Sequence, residues 1–280
     1  MALSNFDGQS FPSSRLKLPS KRNKGVRASR SRKNICLNLA IAITLSSTPA
    51  MARTLTEIKD DGTLKVGLTG DYAPYSVRGP DERITGADVT MAEALARALG
   101  VALEIVPTTW KSMTSDFEAG HFDIAMGGVS ITAQRAELGM FSVPVAQDGK
   151  RPIVRCADKD RYTSISAIDQ PGVRVDVNPG GTNETFAKTH FPHAEIIGYP
   201  DNRTIFDDVA AGHADVMVTD GVEVDLQAHR HPGVLCPANV PQAFDSFEKA
   251  YWMTSDPYLK KEVDAVVEEH LDDYRKALQE

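Results

Sequence analysis

Short apolar segments of strand character alternate with helical patterns along most of the chain. Residues 64–69, 103–106 and 195–198 are predicted strands, and residues 88–99 carry apolar side chains at three- and four-residue spacing, which predicts a helix that ends at Gly100. Two further helices are predicted, one that begins at Trp110 and one from about Pro257 to the end of the sequence. Because strands that alternate with helices pack as layers, the sequence predicts an α/β fold whose sheets are mainly parallel.

Two segments of the chain resemble each other. Residues 120–128 and 212–221 both begin with Gly-His-x-Asp, continue as an apolar strand and end in small or polar residues. This similarity predicts two lobes of like construction, with residues 53–149 and 238–280 in lobe 1 and residues 150–237 in lobe 2. Because two crossings then join the lobes, they form a hinge, and the ligand is expected in the cleft between them.

A glycine turn in lobe 2, residues 178–181, has the character of an anion site. A β-branched strand that ends at Val177 runs into Asn-Pro-Gly-Gly, and Thr182 or Asn183 is the predicted N-cap of the following helix. Glycines such as Gly181 let backbone N–H groups approach a ligand, and a helix N-terminus favours negative charge. The pattern predicts that this turn binds a carboxylate or a phosphate.

Glu184 lies in the first turn of that helix and has two interpretations. Acidic residues are common at this place because they complement the helix dipole. The alternative is an acid that gives its proton to a leaving group on a bound anion, provided that closure of the cleft raises its pKa. The local sequence leaves both interpretations open.

Polar residues also follow the strands of both lobes. The glycine pair at 127–128 is followed by Ser130, Thr132 and Arg135, and an arginine there either binds a carboxylate bidentately or lies solvated at the surface. Asp220 follows a strand of lobe 2 and either contacts the ligand or caps the next helix. Aromatic side chains follow two strands of lobe 1, where open sheets bind their ligands, namely Tyr72 and Trp110.

The first 52 residues have the order of an export signal. Nine basic side chains and a single acid, Asp7, accompany an apolar run at 35–45 and the small-residue site Ala50-Met51-Ala52. This order predicts a secretory signal cleaved near Arg53, and the apolar run is shorter than the roughly 20 residues of a membrane span. The long basic region leaves two alternatives open, a translation start further along the chain and an organelle transit peptide.

Charge, motifs and cysteines narrow the class of protein. Residues 53–280 hold 22 basic and 37 acidic side chains, a formal net charge of −15, which argues against nucleic acid as a partner. The sequence has no P-loop, dinucleotide-binding, zinc-binding or nucleophile-elbow pattern, so neither a metal nor another cofactor is expected. Cys156 and Cys236 remain once the signal is removed, and in an oxidising compartment we predict a disulfide, the alternative being two buried thiols.

Over nearly all of residues 54–280 the chain resembles the periplasmic amino-acid-binding proteins of ABC importers. The resemblance rests on Gly-Asp-Tyr-x-Pro-Tyr at 70–75, Gly-x-Asp-Val-x-Met-Ala-x-x-Leu-Ala at 86–96 and Phe-Asp-Ile-Ala-Met-Gly-Gly-Val-Ser-Ile-Thr-x-x-Arg at 122–135. Ala87 and Thr90 depart from the usual helix motif of these proteins, away from the expected ligand site. The resemblance implies a two-lobed periplasmic binding protein-like fold of type II and location in the periplasm, free of the membrane after signal cleavage.

Within that superfamily, several segments are similar to the cyclohexadienyl dehydratases, which are exported enzymes. They include Pro-Thr-Thr-Trp at 107–110, Asp-Gly-Lys-Arg-Pro-Ile at 148–153, Asn-Pro-Gly-Gly-Thr-Asn-Glu at 178–184, Pro-Asp-Asn-x-Thr-Ile-Phe at 200–206 and Glu-Lys-Ala-Tyr at 248–251. Both cysteines also match. The resemblance implies decarboxylative dehydration of prephenate to phenylpyruvate and of arogenate to phenylalanine, with Glu184 as the general acid and no cofactor.

The same resemblance implies how the substrate binds. Arg135 and the glycine turn would hold one carboxylate, and Lys150 is a candidate for a second. Aromatic rings would flank the substrate ring, and acidic side chains would lie near its polar substituents. The implied substrate-binding residues are Asp71, Tyr72, Trp110, Gly128, Ser130, Thr132, Arg135, Lys150, Gly181, Thr182, Asn183 and Asp220.

The alternative function is that of a non-catalytic periplasmic amino-acid-binding protein of an ABC importer. In such a protein Arg135 would bind the α-carboxylate and Asp220 the α-ammonium, and this cleft would have no evident need for Glu184. Both functions imply a small-molecule ligand, and both are compatible with a homo-oligomer.

Overall fold

The structure is a computed structural model that describes residues 53–278, so the predicted export signal lies outside the described residues. The strands are β1 Thr63–Leu68, β2 Asp71–Tyr72, β3 Ser76–Arg78, β4 Ile84–Thr85, β5 Ala102–Pro107, β6 Ile124–Ala125, β7 Met140–Phe141, β8 Ala146–Asp148, β9 Lys150–Arg155, β10 Arg174–Val177, β11 Glu195–Gly198, β12 Val216–Asp220, β13 Leu235–Pro237, β14 Phe247–Lys249 and β15 Trp252–Met253. The helices are α1 Leu55–Asp61, α2 Ala87–Leu99, α3 Met113–Glu118, α4 Ala133–Leu138, α5 Ile165–Ile168, α6 Thr182–His190, α7 Ile205–Ala211, α8 Gly221–Arg230 and α9 Pro257–Ala277.

Two five-stranded sheets organise the chain. Their strand orders are β5-β1-β6-β15-β7 and β11-β10-β12-β9-β13. In each sheet the first three strands are parallel, as the alternation of strands and helices predicts, and the remaining neighbours pair antiparallel. The sheets are therefore mixed, each with a parallel half.

The C-terminal part of the chain returns to the first sheet. In β15, Trp252 pairs with Ala125 on one side and with Phe141 on the other. The strands of the second sheet all lie between Lys150 and Pro237. This arrangement agrees with two lobes joined by two crossings, and the exact lobe limits stay our proposal.

Each sheet has its own apolar core. In lobe 1, the buried strand residue Val66 packs in one cluster with Leu95 of α2 and Val263 of α9. In lobe 2, Val175 and Val216 pack with residues of α6. Since full burial of such a side chain is worth about 1.5–3 kcal/mol, these clusters hold each sheet to its helices. Within residues 53–278 no helix has both the length and the apolar character needed to cross a lipid bilayer.

The predicted disulfide is confirmed. Cys156 and Cys236 are bonded, with their Cα atoms 4.8 Å apart. Cys236 lies in β13, opposite Val154 of β9, and Cys156 follows β9 directly. The bond therefore ties the edge strand of the second sheet to its neighbour.

One predicted helix begins later than expected. The sequence predicts a helix from Trp110, but α3 begins at Met113. Residues 109–112 form a turn in which the Ser112 N–H donates to Thr109 Oγ1 at 3.1 Å and the Thr109 N–H donates to Ser112 Oγ at 3.3 Å. These side-chain bonds compete with helix formation and hold the preceding residues in the turn.

Candidate functional site

Two adjoining cavities lie between the sheets. The inner cavity has a volume of about 30 Å³ and the outer cavity about 460 Å³. They share four residues, Ser130, Arg135, Gly181 and Thr182. This volume is enough for one or two water molecules, so side chains of the protein fill most of the inner cavity.

Most of the predicted binding residues lie at these cavities. Those that line the inner cavity are Tyr72, Trp110, Gly128, Ser130, Arg135, Gly181, Thr182, Asn183 and Asp220. Thr132 and Lys150 line the outer cavity. Asp71 accepts a hydrogen bond from the Trp110 ring nitrogen at 3.0 Å and so lies behind the cavity wall. Glu184 lines neither cavity.

Asp220 joins the two lobes. Its Oδ1 atom lies 2.5 Å from Lys150 Nζ, and its Oδ2 atom lies 2.6 Å from Lys249 Nζ and also accepts from the Tyr72 hydroxyl. All four residues are at most 4% exposed. Although burial opposes ionisation, the charges of Lys150 and Lys249 hold the pKa of Asp220 well below its ordinary value. We call these four residues the Asp220 bridge.

The bridge removes one of the two interpretations of Asp220, that of a helix cap. This residue occupies the N-cap position of α8, but its side chain makes no capping hydrogen bond. Its carboxylate is used by Lys150, Lys249 and Tyr72 instead. The helix-cap interpretation is therefore wrong for the side chain.

Arg135 is a buried cation. It is 7% exposed, and its Nη1 atom donates to the Ser130 carbonyl at 2.8 Å. No carboxylate among residues 53–278 forms a salt bridge with it. Burial lowers the pKa of Arg135 to about 10, which leaves the side chain charged at neutral pH. An unpaired buried charge is costly, so this position favours an anionic ligand and not a solvated surface arginine.

The glycine turn leads into α6, but the predicted cap is wrong. Gly181 is the N-cap, and neither Thr182 nor Asn183 caps the helix with its side chain. Lys150 Nζ donates to Thr182 Oγ1 at 3.0 Å and also to the Asn183 side-chain oxygen. Because both side chains accept hydrogen bonds from this lysine, which is distant in sequence, they face the cleft and not the helix end.

Glu184 is bound to the same glycine turn, but outside both cavities. Its Oε1 atom lies 2.7 Å from Lys188 Nζ, and its Oε2 atom accepts from the Gly180 N–H at 2.7 Å. The Lys188 ammonium and the Gly180 N–H lower the pKa of Glu184. In this conformation the side chain is an ionised carboxylate that stabilises the turn.

A buried aspartate fixes the second glycine pair. Asp88 Oδ2 accepts from the N–H groups of Gly127 and Gly128 at 2.6 and 2.8 Å. Its Oδ1 atom accepts from the hydroxyls of Tyr251 and Tyr274 at 2.9 and 2.7 Å. The turn fixed in this way directs the Gly128 carbonyl to Lys249 Nζ, 2.8 Å away.

Four polar residues of the site do not belong to the predicted set: Asn178, Asn202, Glu223 and Lys249. The first three line the inner cavity, and Lys249 belongs to the Asp220 bridge. Asn178, Asn202 and Lys249 lie within segments that resemble the dehydratases, which was the available signal. The sequence did not identify Glu223 as a site residue, because Asp220-x-x-Glu223 has the spacing of an ordinary capping box.

The site offers hydrogen bonds and positive charge. Arg135 and the two lysines of the bridge outnumber the carboxylate of Asp220. In the described part of the chain, no group of three or more His, Cys, Asp or Glu side chains has a geometry suited to a metal ion. The arrangement can bind an organic anion and orient it between the lobes.

Comparison with known proteins gives a consistent family. Residues 64–280 match the model of the bacterial extracellular solute-binding proteins, family 3. A cyclohexadienyl dehydratase from Pseudomonas aeruginosa is 44% identical over 229 residues, 82% of this chain and 84% of the relative. The L-cystine-binding protein TcyJ of Escherichia coli is 31% identical over 166 residues, 59% of this chain and 62% of the relative.

The solved structures agree with the sequence matches. The ancestral amino acid-binding protein AncCDT-1, described as a precursor of cyclohexadienyl dehydratase, has a TM-score of 0.72 at 32% identity and covers 80% of this chain and 97% of its own. An arginine-bound substrate-binding protein from Streptococcus pneumoniae has a TM-score of 0.73 at 27% identity and covers 79% and 95%. The predicted two-lobed binding-protein fold is thereby confirmed. This chain belongs to the bacterial extracellular solute-binding proteins, family 3.

Proposed function

We propose that this protein is a cyclohexadienyl dehydratase, which converts prephenate to phenylpyruvate and arogenate to phenylalanine. Its Pseudomonas aeruginosa relative carries that name at 44% identity. The observation that carries the proposal is the charge of the cleft, where Arg135 is buried without a carboxylate partner among the described residues and two lysines share Asp220. Such a surplus of positive charge suits a substrate with two carboxylates, which prephenate has.

The reaction breaks two bonds at opposite ends of the substrate ring. The bond to the ring carboxylate breaks, its electron pair enters the ring, and CO₂ leaves. The C–O bond at the opposite carbon breaks, and the hydroxyl takes up one proton and leaves as water. Because the ring becomes aromatic, the protein needs chiefly to orient the substrate and to supply that proton.

Glu184 is the proposed proton donor. For this role its carboxyl must leave Lys188 and the Gly180 N–H, which now keep it ionised. A substrate carboxylate that binds at the glycine turn would take the Gly180 N–H and place a negative charge beside Glu184. Both changes raise the pKa of Glu184 and favour its protonated form.

The alternative is a binding protein that delivers an amino acid. TcyJ and the arginine-bound structure are named for such ligands. In this chain, however, both oxygens of Asp220 already accept from Lys150, Lys249 and Tyr72. An α-ammonium group bound at Asp220, as the alternative implies, would have to displace a lysine, which disfavours this binding mode for a transported amino acid and for the ammonium group of arogenate alike.

We also propose that the protein acts in the periplasm. Its family consists of extracellular proteins, and the disulfide between Cys156 and Cys236 suits an oxidising compartment. The intact mass of the protein recovered from a periplasmic extract tests this proposal. A mass equal to that of residues 53–280 supports it, and an uncleaved chain in the cytoplasm contradicts it.

The activity is tested with purified residues 53–280 and prephenate. We expect phenylpyruvate to form well above the uncatalysed rate. Glu184→Gln should lower kcat by about 10²–10⁴-fold, because the amide cannot supply the proton. Glu195→Gln, an exposed acid of lobe 2, is the matched control and should keep full activity.

Two outcomes would contradict this proposal. Full activity of Glu184→Gln would remove Glu184 as the proton donor. Absence of turnover together with tight binding of an amino acid would assign the protein to the transport function.

A further inference from the structure

Helix α8 begins without the side-chain cap that its own sequence offers. The first N–H groups of a helix have no partner within it, and an aspartate at the N-cap position normally accepts from one of them. Asp220 occupies this position, but its side chain makes no capping hydrogen bond. Its carboxylate binds Lys150 and Lys249 instead. The N-terminus of α8 therefore needs an acceptor from another part of the chain.

Asp148 supplies that acceptor. It is the last residue of β8, which pairs with β14 in a two-stranded sheet, and it lies two positions before the second five-stranded sheet begins. Its Oδ1 atom accepts from the N–H groups of Gly221 at 2.9 Å and Gly149 at 2.8 Å. Its Oδ2 atom accepts from the Val222 N–H at 3.2 Å. A side chain at the entry to lobe 2 thus caps a helix that begins 73 positions later.

The absence of a side chain at residue 221 makes this contact possible. A Cβ atom at Gly221 would lie 2.8 Å from Asp148 Oδ1, which is too close for two non-bonded atoms. The Gly221 N–H also donates to the Gly149 carbonyl at 3.0 Å. Backbone and side-chain contacts therefore both join the crossing between the lobes to the start of α8.

The position of Asp148 affects Asp220. Burial and the negative charge of Asp220 raise the pKa of Asp148, whereas the Gly149 N–H and the charge of Lys249 lower it. The two carboxylates are thus close enough to repel each other. While Asp148 occupies the helix end, a second carboxylate is unfavourable there, and the lysines of the Asp220 bridge are the better partners for Asp220.

We propose that Asp148 is a positioning residue of the site. It caps α8 in place of Asp220 and so keeps the Asp220 carboxylate at Lys150 and Lys249, where Asp220 joins the lobes. The effect on turnover rests on the dehydratase function, because these lysines belong to the positive charge that is proposed to bind the substrate. The effect on closure of the cleft does not rest on it.

The test compares two replacements of Asp148. Asp148→Ala removes the cap, and Asp220, at the N-cap position, is then placed to turn towards the free N–H of Val222 and leave the bridge. We expect kcat/KM for prephenate to fall by about tenfold, since the loss of a cap is worth about that factor. Asp148→Asn keeps an oxygen that accepts from Gly149 and Gly221, and kcat/KM should stay within about threefold of the original protein.

Asp256→Ala is the matched control. Asp256 caps α9 in lobe 1, where it accepts from the N–H groups of Tyr258 at 2.8 Å and Leu55 at 2.6 Å, and it lines neither cavity. Its replacement should lower the midpoint of urea unfolding about as much as Asp148→Ala does, but leave kcat/KM unchanged. An equal loss of kcat/KM in both variants would overturn the proposal, and so would a loss in Asp148→Asn as large as that in Asp148→Ala.

The coupling to Asp220 separates positioning from a structural role. Asp220→Ala can neither bind the lysines nor cap the helix, so it should lower kcat/KM by itself. Adding Asp148→Ala should then lower kcat/KM by less than about twofold, because two changes that act through the same contact do not add. A further loss of about tenfold in the double variant would show that Asp148 acts independently of Asp220 and would overturn the proposal.

Small-angle scattering of the ligand-free proteins tests the proposal without turnover. Asp148→Ala and Asp220→Ala should both have a larger radius of gyration than the original protein, because Asp220 no longer joins lobe 2 to Tyr72 and Lys249 of lobe 1. An unchanged radius in Asp148→Ala would overturn the proposal. If the original protein does not turn prephenate over and the radius still increases in Asp148→Ala, the dehydratase function fails and the role of Asp148 in closure is supported.

Discussion

Three buried acids of lobe 2 have different protonation states for identifiable reasons. Asp220 is ionised because two lysines contact it, whereas burial raises the pKa of Glu223 to about 8 and its hydrogen-bond partners are neutral. Asp176, in β10, is fully buried, and neither of its oxygens has a hydrogen-bond partner among residues 53–278. Burial and the nearby carboxylate of Asp208 raise the pKa of Asp176 to about 7. Burial alone therefore does not determine the charge of an acid, because its partners decide.

Asp176 should make the stability of the protein depend on pH. Its pKa is about 7 in the folded protein against 3.8 ordinarily, so the folded state keeps a proton that the unfolded chain loses. The free energy of unfolding should accordingly fall as the pH rises from about 4 to 7. The side chain that Asp176→Asn introduces cannot ionise. We expect the free energy of unfolding of this variant to be higher than that of the original protein by about 1–3 kcal/mol at pH 8 and by much less at pH 5.

Urea unfolding at the two pH values measures this difference. Asp207→Asn, an exposed acid of α7, is the matched control and should change little at either pH. An Asp176→Asn protein that is less stable than the original at pH 8 would show that the carboxylate has a partner and contradict the argument.

At this scale the sequence predicted residue positions better than residue states. The local patterns left Arg135 and Asp220 undecided, the family resemblance placed them at the cleft, and the structure brings them to the same cavity. The ionised state of Glu184 depends on Lys188 and Gly180, whose side-chain and backbone contacts the sequence does not reveal. Glu223 looks like a capping residue until Asn202, 21 positions away, is beside it.

Among the elements, α2 connects the core of lobe 1 to the site. Asp88, near its N-terminus, accepts two hydrogen bonds from the 127–128 turn and two from tyrosines, one of which lies in α9. One carboxylate thus holds a turn, a helix and the C-terminal segment together. Its position in the sequence follows a family motif, but its four partners come from distant parts of the chain.

Asp88→Asn should weaken this junction. An amide has one accepting oxygen, so two of the four donors lose their acceptor and face an NH₂ group instead. We expect the free energy of unfolding to fall by about 2–4 kcal/mol, and kcat to fall because the Gly128 carbonyl no longer holds Lys249 in place. Urea unfolding and the prephenate assay measure the two effects.

The comparison is with Asp60→Asn, an exposed acid of α1 that should change neither quantity. Unchanged stability of Asp88→Asn would mean that the turn is held by other contacts.

The observed bounds of strands and helices agree with the predicted ones where only local sequence patterns determine them. The predicted strand at 195–198 and the last helix from Pro257 agree with β11 and α9. The start of α6 differs from the predicted one. Lys150, from the crossing into lobe 2, donates hydrogen bonds to the side chains of Thr182 and Asn183, so neither side chain caps the helix. Contacts between distant segments are the physical reason for the errors.

For the whole molecule, close contact between the lobes depends on Gly180. Its φ is +89°, and a Cβ atom there would lie 2.4 Å from the Lys111 Cα atom of lobe 1. The backbones of the two lobes therefore meet at this glycine with no space for a side chain. Next to it, Gly181 packs near the ring of Trp110.

Gly180→Ala should keep the lobes apart. We expect kcat to fall by about tenfold or more, because the closed cleft that orients the substrate no longer forms fully. Small-angle scattering should give a larger radius of gyration than that of the original protein.

Gly172→Ala is a close control. Gly172 also has a positive φ, +84°, but nothing lies within 4 Å of a Cβ atom placed there. Gly172→Ala therefore introduces the same backbone strain as Gly180→Ala, about 1 kcal/mol, but does not affect any contact between the lobes. If both variants lose the same activity, strain and not closure is responsible.

The Asp220 bridge has a consequence for any membrane transporter that this protein could meet. For an importer that docks on closed binding proteins, the closed conformation is the signal that a ligand is bound. Here Tyr72 and Lys249 of lobe 1 hold Asp220 of lobe 2 through side chains of the protein itself. Since these contacts favour the closed shape independently of a ligand, closure carries little information about occupancy. Such a closure is a poor signal that a ligand is bound, which agrees with the dehydratase function that we propose.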